Sequence, residues 1–358
     1  MSRKNLIVGQ SGGPTAVINS SLYGVVSEGM RHPEAIEHVY GMINGIEGFL
    51  NGTVLDFAEA LPGDKLDGLK VTPGAYLGSC RYKLPESLED PVYPRLFKKF
   101  EEMNIGWFFY IGGNDSMDTV SKLSRYAAQT GSDIRILGEP KTIDNDLWGT
   151  DMTFGFQSAV DIATQTIDCI HTTAASHNRV FIVELMGHKV GWVTLHAGIA
   201  GGADIILIPE IPYDLKHVIS AIQRRNEQGK HFTILAVAEG AISKEDAKLT
   251  KKQYKAKLAK RKHSTVGYEL ASQIEKATGL EVRVTIPGHT QRGGSPVPFD
   301  RVISSRLGVA AAELIAKEDY GKMLIMKGYD VATLPLEKTA GKLKYVSPDD
   351  QIVLQAKH

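Results

Sequence analysis

The chain has 358 residues, and its 41 Lys and Arg residues balance 41 Asp and Glu residues, so its formal net charge is zero. This balance gives no reason to expect a nucleic-acid or anionic-membrane partner, because such proteins usually carry excess positive charge. The length and the 42% content of hydrophobic residues are typical of a globular enzyme with about two domains.

The two cysteines, Cys80 and Cys169, are too few for a disulfide framework and form no CxxC metal pattern. The apolar run that ends at Val8 is too short for a signal peptide, and no later stretch reaches the length of a membrane span. We therefore expect a cytoplasmic enzyme.

The first predicted elements are a short strand over Asn5–Val8, a glycine-rich turn over Gly9–Thr15 and a helix over Ala16–Met30. A glycine turn before a helix can let an anion approach main-chain N–H groups. The turn matches neither the dinucleotide fingerprint nor the Walker loop, so by itself it is a weak signal. A second glycine-rich loop, Gly74–Arg81, offers one cation, Arg81.

The apolar run Trp107–Ile111 predicts a buried parallel strand. It leads into Gly112–Ser116 and then a helical pattern, which is again a common phosphate-binding arrangement. The carboxylate of Asp115 is unfavourable beside an anion unless a cation lies between them. The segment is therefore either a capping turn or part of a metal site.

A third strand, Ile134–Leu137, leads into the loop Pro140–Asp146, which contains an ammonium, a hydroxyl, an amide and two carboxylates. Loops at strand ends often carry active sites in open α/β sheets. This composition suits proton transfer and metal-assisted chemistry on an anionic substrate. The alternative is an Asp- and Asn-rich turn that caps the next element.

Further strands and helices alternate along the rest of the chain, which predicts parallel sheets with helices on both faces. The predicted strands are 179–185, 204–208, 232–237 and 283–286, with a core-facing helix after residue 156. The lysine-rich segment 244–263 is expected to be a solvated, partly helical insertion. Residues 287–296 combine His289 and Arg292 with two adjacent glycines, a composition typical of a phosphate clamp.

The order and spacing of these motifs resemble the phosphofructokinase family from about residue 5 to about residue 330. The motifs that carry the resemblance are Gly12–Gly13, Gly78–Arg81, Gly112–Ser116, Pro140–Asp146, Met186–His188, Glu239 and Gly288–Pro296. The resemblance implies an α/β fold of two Rossmann-like three-layer domains with mainly parallel sheets and an active site in the cleft between them. The expected domains are a phosphoryl-donor domain (1–150 with about 293–325), a fructose 6-phosphate domain (151–292) and a C-terminal surface segment (326–358).

The family transfers a phosphoryl group to the 1-hydroxyl of fructose 6-phosphate. By resemblance, the catalytic residues are Asp144, Thr142 and Lys141. Asp144 is the general base, Thr142 and Asp146 orient the sugar, the donor or the metal, and Lys141 neutralises part of the donor and its leaving phosphate. The implied substrate-binding residues are Arg179, Met186, Gly187, Glu239, Arg283, His289 and Arg292, of which Arg179 and Arg283 reach in from a neighbouring subunit. The implied residues for the donor phosphates are Gly12, Arg81, Asp115 and Lys141. A homo-oligomer, dimer or tetramer, is therefore expected.

Two positions predict the donor. In this family, ATP-dependent members usually carry glycine at the positions of Asp115 and Lys141, and pyrophosphate-dependent members usually carry Asp and Lys. The resemblance is therefore closest to the pyrophosphate-dependent class, with pyrophosphate and fructose 6-phosphate as substrates. The alternatives are an ATP-dependent 6-phosphofructokinase and a non-catalytic sugar-phosphate-binding regulatory subunit.

Three departures from the family pattern affect the metal and regulation. Asn114 stands where many relatives have an Asp that helps to hold Mg²⁺, so the expected magnesium ligands are Asn114, Asp115 and Asp146. His188 replaces an arginine, which makes a permanent cation depend on pH. Tyr23 and Ser27 replace arginines that bind an effector phosphate in allosteric bacterial members, which predicts weak or absent nucleotide control.

Overall fold

The computed structural model describes residues 3–339 and 341–357. Residues 1, 2, 340 and 358, which belong to the predicted first domain and C-terminal segment, lie outside this range. The described chain forms two compact units. Unit 1 contains residues up to Ser158 and Arg292–Lys344, and unit 2 contains Ala159–Gln291 and the residues from Tyr345 onward.

Unit 1 is built on a seven-stranded sheet with the order β11-β10-β5-β4-β1-β2-β3. The strands are β1 (Lys4–Gln10), β2 (Ile36–Met42), β3 (Val54–Asp56), β4 (Ile105–Gly112), β5 (Arg135–Pro140), β10 (Lys322–Lys327) and β11 (Asp330–Pro335). The five central strands are parallel, whereas β3 and β11 at the two edges pair antiparallel with their neighbours.

Helices cover both faces of this sheet. The helices of unit 1 are α1 (Ile18–Gly29), α2 (Gly45–Leu50), α3 (Phe57–Ala60), α4 (Val92–Glu102), α5 (Asn114–Thr130) and α11 (Pro298–Glu313). Successive residues of β4 face opposite sides: Phe109 packs in a core with α1 and α11, and Phe108 packs in a second core with α4 and α5. This alternation explains why β4 is a continuous apolar run.

Unit 2 has a four-stranded parallel sheet with the order β7-β8-β6-β9. Its elements are β6 (Val180–Leu185), β7 (Ile205–Leu207), β8 (Thr233–Ala238), β9 (Val282–Thr285), α7 (Trp192–Ala200), α8 (Leu215–Glu227), α9 (Lys251–Ala259), α10 (Val266–Thr278) and α12 (Gln351–Gln355), together with most of α6 (Phe156–His177). Helices α8 and α10 pack on one sheet face around Leu235, and α7 packs on the other around Ala236. The predicted α/β class with mainly parallel sheets is confirmed.

The lysine-rich insertion contains α9, which has no buried residue. This agrees with a solvated helical segment. Among the described residues, no helix is both long and apolar enough to span a bilayer.

The C-terminal segment differs from the predicted surface segment. Its boundary at residue 326 cuts through β10, whose residues Met323–Met326 are buried beside β5, and β11 then completes the edge of the sheet. The mixed pattern that suggested a surface element arises because β11 is an edge strand with most residues only half-buried.

Candidate active site

Three neighbouring parallel strands of unit 1 end beside one another. Strand β4 lies between β1 and β5, so the loops after Gln10, Gly112 and Pro140 share one edge of the sheet. The Lys141 N–H donates to Gly112 O at 3.1 Å, which fixes the third loop against the second. The Gly12 N–H donates to Cys80 O at 3.1 Å and brings the Gly74–Arg81 loop to the same edge. The three glycine-rich motifs and the Pro140–Asp146 loop therefore form one cluster.

Lys141 is buried under the first glycine turn. Its Nζ donates a 2.6 Å hydrogen bond to Gly13 O and lies 3.4 Å from the position that a Cβ on Gly12 would occupy. The pKa of Lys141 is lowered to about 8, mainly by burial and also by nearby Arg292 and Arg81, while Asp144 and Asp146 oppose this shift. Below that pH the turn contains an ammonium close to the main chain.

Arg292 belongs to the same cluster. Its guanidinium carbon is 2.8 Å from where a Cβ on Gly13 would be, so a larger residue at position 13 would displace the guanidinium. The sequence predicted that Arg292 binds the sugar phosphate; within unit 1, its guanidinium lies against Gly13. Arg81 is exposed and adds a third positive charge. The turn is therefore surrounded by cations, as a site for a polyanion requires.

The loop from Thr142 to Asp146 has a defined conformation. The Thr142 Oγ1 accepts a hydrogen bond from the Asp144 N–H at 3.1 Å, and the Thr153 Oγ1 donates to Thr142 O at 2.8 Å. Asn145 has a left-handed backbone with φ of 54°, which turns the chain between the two carboxylates. Asp144 is half-buried and Asp146 is buried.

The expected metal ligands lie at the start of α5 and in the loop after β5. The Asp115 carboxylate is 75% exposed and pairs with Lys83 Nζ at 3.0 Å. Within residues 3–339 and 341–357, no group of three or more His, Cys, Asp or Glu side chains is arranged to hold a metal ion. The oxygen donors of Asn114, Asp115 and Asp146 nevertheless fit Mg²⁺, which usually binds one or two carboxylates, several waters and substrate phosphates.

In unit 2, the loops after β6 and β8 meet at Glu239. Its Oε1 accepts hydrogen bonds from the main-chain N–H groups of Gly187, at 3.2 Å, and His188, at 2.8 Å. The Met186 N–H donates to Gln291 Oε1 at 3.0 Å. Met186, Gly187 and Glu239 are thus together at the carboxyl ends of the strands, where ligands bind in parallel sheets.

Arg179 and Arg283 do not join that group. Arg179 precedes β6, whereas Met186 follows its last residue, so the two lie at opposite ends of a six-residue strand, about 20 Å apart. Both arginines form ion pairs with Glu281. His289 is exposed in the turn after β9. One chain therefore does not assemble the whole predicted sugar-phosphate clamp.

Glu139 lies directly before the Pro140–Asp146 loop and is completely buried. The Ser21 hydroxyl donates a hydrogen bond to its Oε2, and its Oε1 has no hydrogen-bond partner among the described residues. Burial raises the pKa of the Glu139 carboxyl to about 8, so the acid is neutral in the folded protein at pH 7. Nothing in the motif pattern marked this residue.

We expect this burial to make stability fall with rising pH. The folded state keeps the Glu139 proton up to about pH 8, whereas the unfolded chain releases it near the ordinary pKa of 4.5. The free energy of unfolding should therefore decrease by about 1.4 kcal/mol per pH unit between these values. In thermal unfolding, Glu139→Gln should match the wild type at pH 4.5 and be more stable at pH 8. The exposed Glu313→Gln is the control, and equal melting temperatures of wild type and Glu139→Gln at pH 8 would contradict the expectation.

Comparisons with known proteins agree with the motif order. A sequence model of the family described as Phosphofructokinase matches residues 5–315. An ATP-dependent 6-phosphofructokinase of Spirochaeta thermophila is 43% identical, over 96% of this chain and 93% of that protein. A pyrophosphate–fructose 6-phosphate 1-phosphotransferase of Amycolatopsis methanolica is 36% identical, over 94% and 95%.

A solved structure gives the same result for the fold. The crystal structure of a pyrophosphate-dependent phosphofructokinase from Nitrosospira multiformis has a TM-score of 0.85 and 27% identity, covering 98% of this chain and 88% of that one. The match thus extends through both units, the motifs at the ends of β1, β4 and β5, and the Glu239 cluster. The chain belongs to the phosphofructokinase family.

Proposed function

We propose that the protein transfers a phosphoryl group from pyrophosphate to the 1-hydroxyl of fructose 6-phosphate, reversibly, giving fructose 1,6-bisphosphate and phosphate. Relatives named for either donor match most of the chain, so similarity supports the phosphofructokinase reaction and leaves the donor open. The assignment of pyrophosphate as the donor rests on the position of Lys141, whose Nζ donates a hydrogen bond to Gly13 O beneath the glycine turn.

Two cations from distant parts of the chain already occupy the space beside this turn. Lys141 lies beside Gly12, and Arg292 lies beside Gly13. Together they suit a compact anion whose two phosphoryl groups both need charge compensation. A nucleotide instead needs room beyond its α-phosphate, where Asp115 adds volume. The exposure of Asp115 and its pairing with Lys83 screen its charge, so the volume of this side chain matters more than its electrostatic repulsion.

In the proposed reaction, Asp144 accepts the proton of the sugar 1-hydroxyl. The hydroxyl oxygen attacks the phosphorus of pyrophosphate that lies nearer to the sugar. The bridging P–O bond breaks and phosphate leaves. Lys141, Arg292 and Arg81 stabilise the negative charge of the donor and the leaving group. This needs only positioning, charge compensation and one base. Mg²⁺, held by Asn114, Asp115 or Asp146, would neutralise phosphate charge when bound.

For the sugar, we propose that Glu239, Met186 and Gly187 contact the hydroxyls and that His289 contributes to the phosphate site. Arg179 and Arg283 would complete the phosphate site of a second copy of the chain. The separation of Arg179 from Met186 along β6 supports this sharing, because the strand is rigid and about 20 Å long.

A complementation experiment tests the shared site. Arg179→Ala and Asp144→Asn should each be nearly inactive alone. In a mixed dimer, one of the two sites combines an intact Asp144 with an intact Arg179 from the partner chain. Because about half of randomly formed dimers are mixed, random mixing should restore about a quarter of wild-type activity. A mixture refolded together that stays as inactive as its parents would show that the site lies within one chain.

The reaction itself is tested by phosphorus NMR of purified protein with Mg²⁺, fructose 6-phosphate and pyrophosphate. We expect the pyrophosphate signal to be replaced by equal amounts of phosphate and a sugar 1-phosphate signal. Added phosphate and fructose 1,6-bisphosphate should regenerate pyrophosphate. Pyrophosphate hydrolysis without sugar phosphorylation, or no turnover, would contradict the proposal.

A further inference from the structure

The side chain of Lys344 ends inside the loop that follows β5, about two hundred positions earlier in the sequence. Its Nζ donates hydrogen bonds to Asn145 Oδ1 at 2.8 Å, Thr150 O at 2.9 Å and Asp151 O at 3.0 Å. The Lys344 main-chain N–H also donates to Asp146 O at 2.9 Å. One lysine therefore joins both ends of the segment 145–151.

These bonds converge on the residue with the least favourable backbone in the loop. Asn145 is buried and has φ of 54°, a conformation that non-glycine residues keep only where their surroundings hold it. Its Oδ1 accepts from the Thr153 N–H at 3.0 Å as well as from Lys344 Nζ. Because Asn145 lies between Asp144 and Asp146, its conformation sets the directions of both carboxylates.

We propose that Lys344 is a positioning residue for phosphoryl transfer, which holds the turn at Asn145 and thereby places Asp144 against the sugar hydroxyl. An ammonium suits this task because it has three donors and meets three oxygen acceptors here. Small displacements of a catalytic group lower the rate much more than they lower substrate affinity. The inference rests on the proposed phosphotransferase reaction and holds for either donor.

The kinetic test compares Lys344→Met, which keeps the aliphatic stem, with Lys342→Met, an exposed neighbour on the same segment. With the donor that the wild type uses, Lys344→Met should lower kcat at least about tenfold and change the KM values by less than about threefold. Lys344→Arg should recover part of the loss, because a guanidinium can donate to several carbonyls. An unchanged kcat, an equal loss in Lys342→Met, or a proportional rise in both KM values would overturn the proposal.

Amide hydrogen exchange tests the same point without turnover. In Lys344→Met, the amides of residues 144–153 should exchange faster than in the wild type, whereas those of β5 should be unchanged. Unchanged exchange in the loop would overturn the inference even if the enzyme is active. Failure of the proposed function is distinguishable, because then the wild type has no turnover with pyrophosphate or ATP while the exchange difference persists.

Discussion

Replacing Asp144 by Asn should lower kcat by about three orders of magnitude, because a positioned general base contributes about 10²–10⁴-fold to such reactions. The amide keeps the size of the side chain and leaves the Asp144 N–H bond to Thr142 Oγ1 in place. Fructose 6-phosphate should therefore still bind, with a Kd close to that of the wild type. Steady-state kinetics and calorimetric titration of the same preparation measure the two quantities.

The exposed Asp64→Asn on unit 1 is the matched control and should leave kcat unchanged. If Asp144→Asn kept more than about a tenth of wild-type kcat, another group would have to accept the proton. An inactive wild type that binds fructose 6-phosphate would instead favour the sugar-phosphate-binding regulatory subunit.

The second large effect is expected when Lys141 and Asp115 are both replaced by glycine. The double variant should lose about a hundredfold in kcat/KM for pyrophosphate, since removing one partner of a buried charged contact typically costs 2–5 kcal/mol. The room left beside Gly12 and at the start of α5 should at the same time lower the KM for ATP. Both quantities are measured by steady-state kinetics with the donor varied at saturating fructose 6-phosphate.

Two further variants distinguish the loss of the Lys141 ammonium from the loss of the surface ion pair of Asp115. Lys141→Met fills the buried space without the ammonium, so it should lose pyrophosphate use but gain no ATP binding. Lys83→Met removes the surface partner of Asp115 and should change kcat/KM by no more than about threefold for either donor. If the double glycine variant kept pyrophosphate use, the proposed role of Lys141 would be wrong.

The sequence predicted β1, β4 and β5 because nearly all of their residues are buried. It did not predict β2, in which Glu37 and His38 are exposed. The runs before Gly112 and Pro140 needed only local pattern and composition to be assigned as β4 and β5. Strand β10 was missed because the predicted boundary fell inside it, although Met323–Met326 form a continuous buried apolar run. Strand β11 was missed because this edge strand shows neither a continuous apolar run nor strict alternation.

The sequence also predicted which residues carry charge but could not predict their contacts. Lys141 was expected to be a cation in the loop, yet its bond to Gly13 O joins residues 128 positions apart. The contact of Arg292 with Gly13 likewise depends on how the chain returns to unit 1 after Gln291.

Two residues had no sequence signal at all. Glu139 is surrounded by apolar neighbours in β5 and is distinguished only by its complete burial against Ser21. Lys344 is one of many lysines near the C-terminus, and its contacts with the loop appear only in the folded chain. Such contacts depend on tertiary packing, which local pattern does not encode.

The most direct test of the donor assignment is the ratio of kcat/KM for pyrophosphate to kcat/KM for ATP, measured on the purified wild-type protein with Mg²⁺ and saturating fructose 6-phosphate. The buried ammonium of Lys141 and the volume of Asp115 predict a ratio of at least about 10², equivalent to at least about 2.7 kcal/mol of transition-state stabilisation. A ratio of one or below, with ATP used as well as or better than pyrophosphate, would contradict the account.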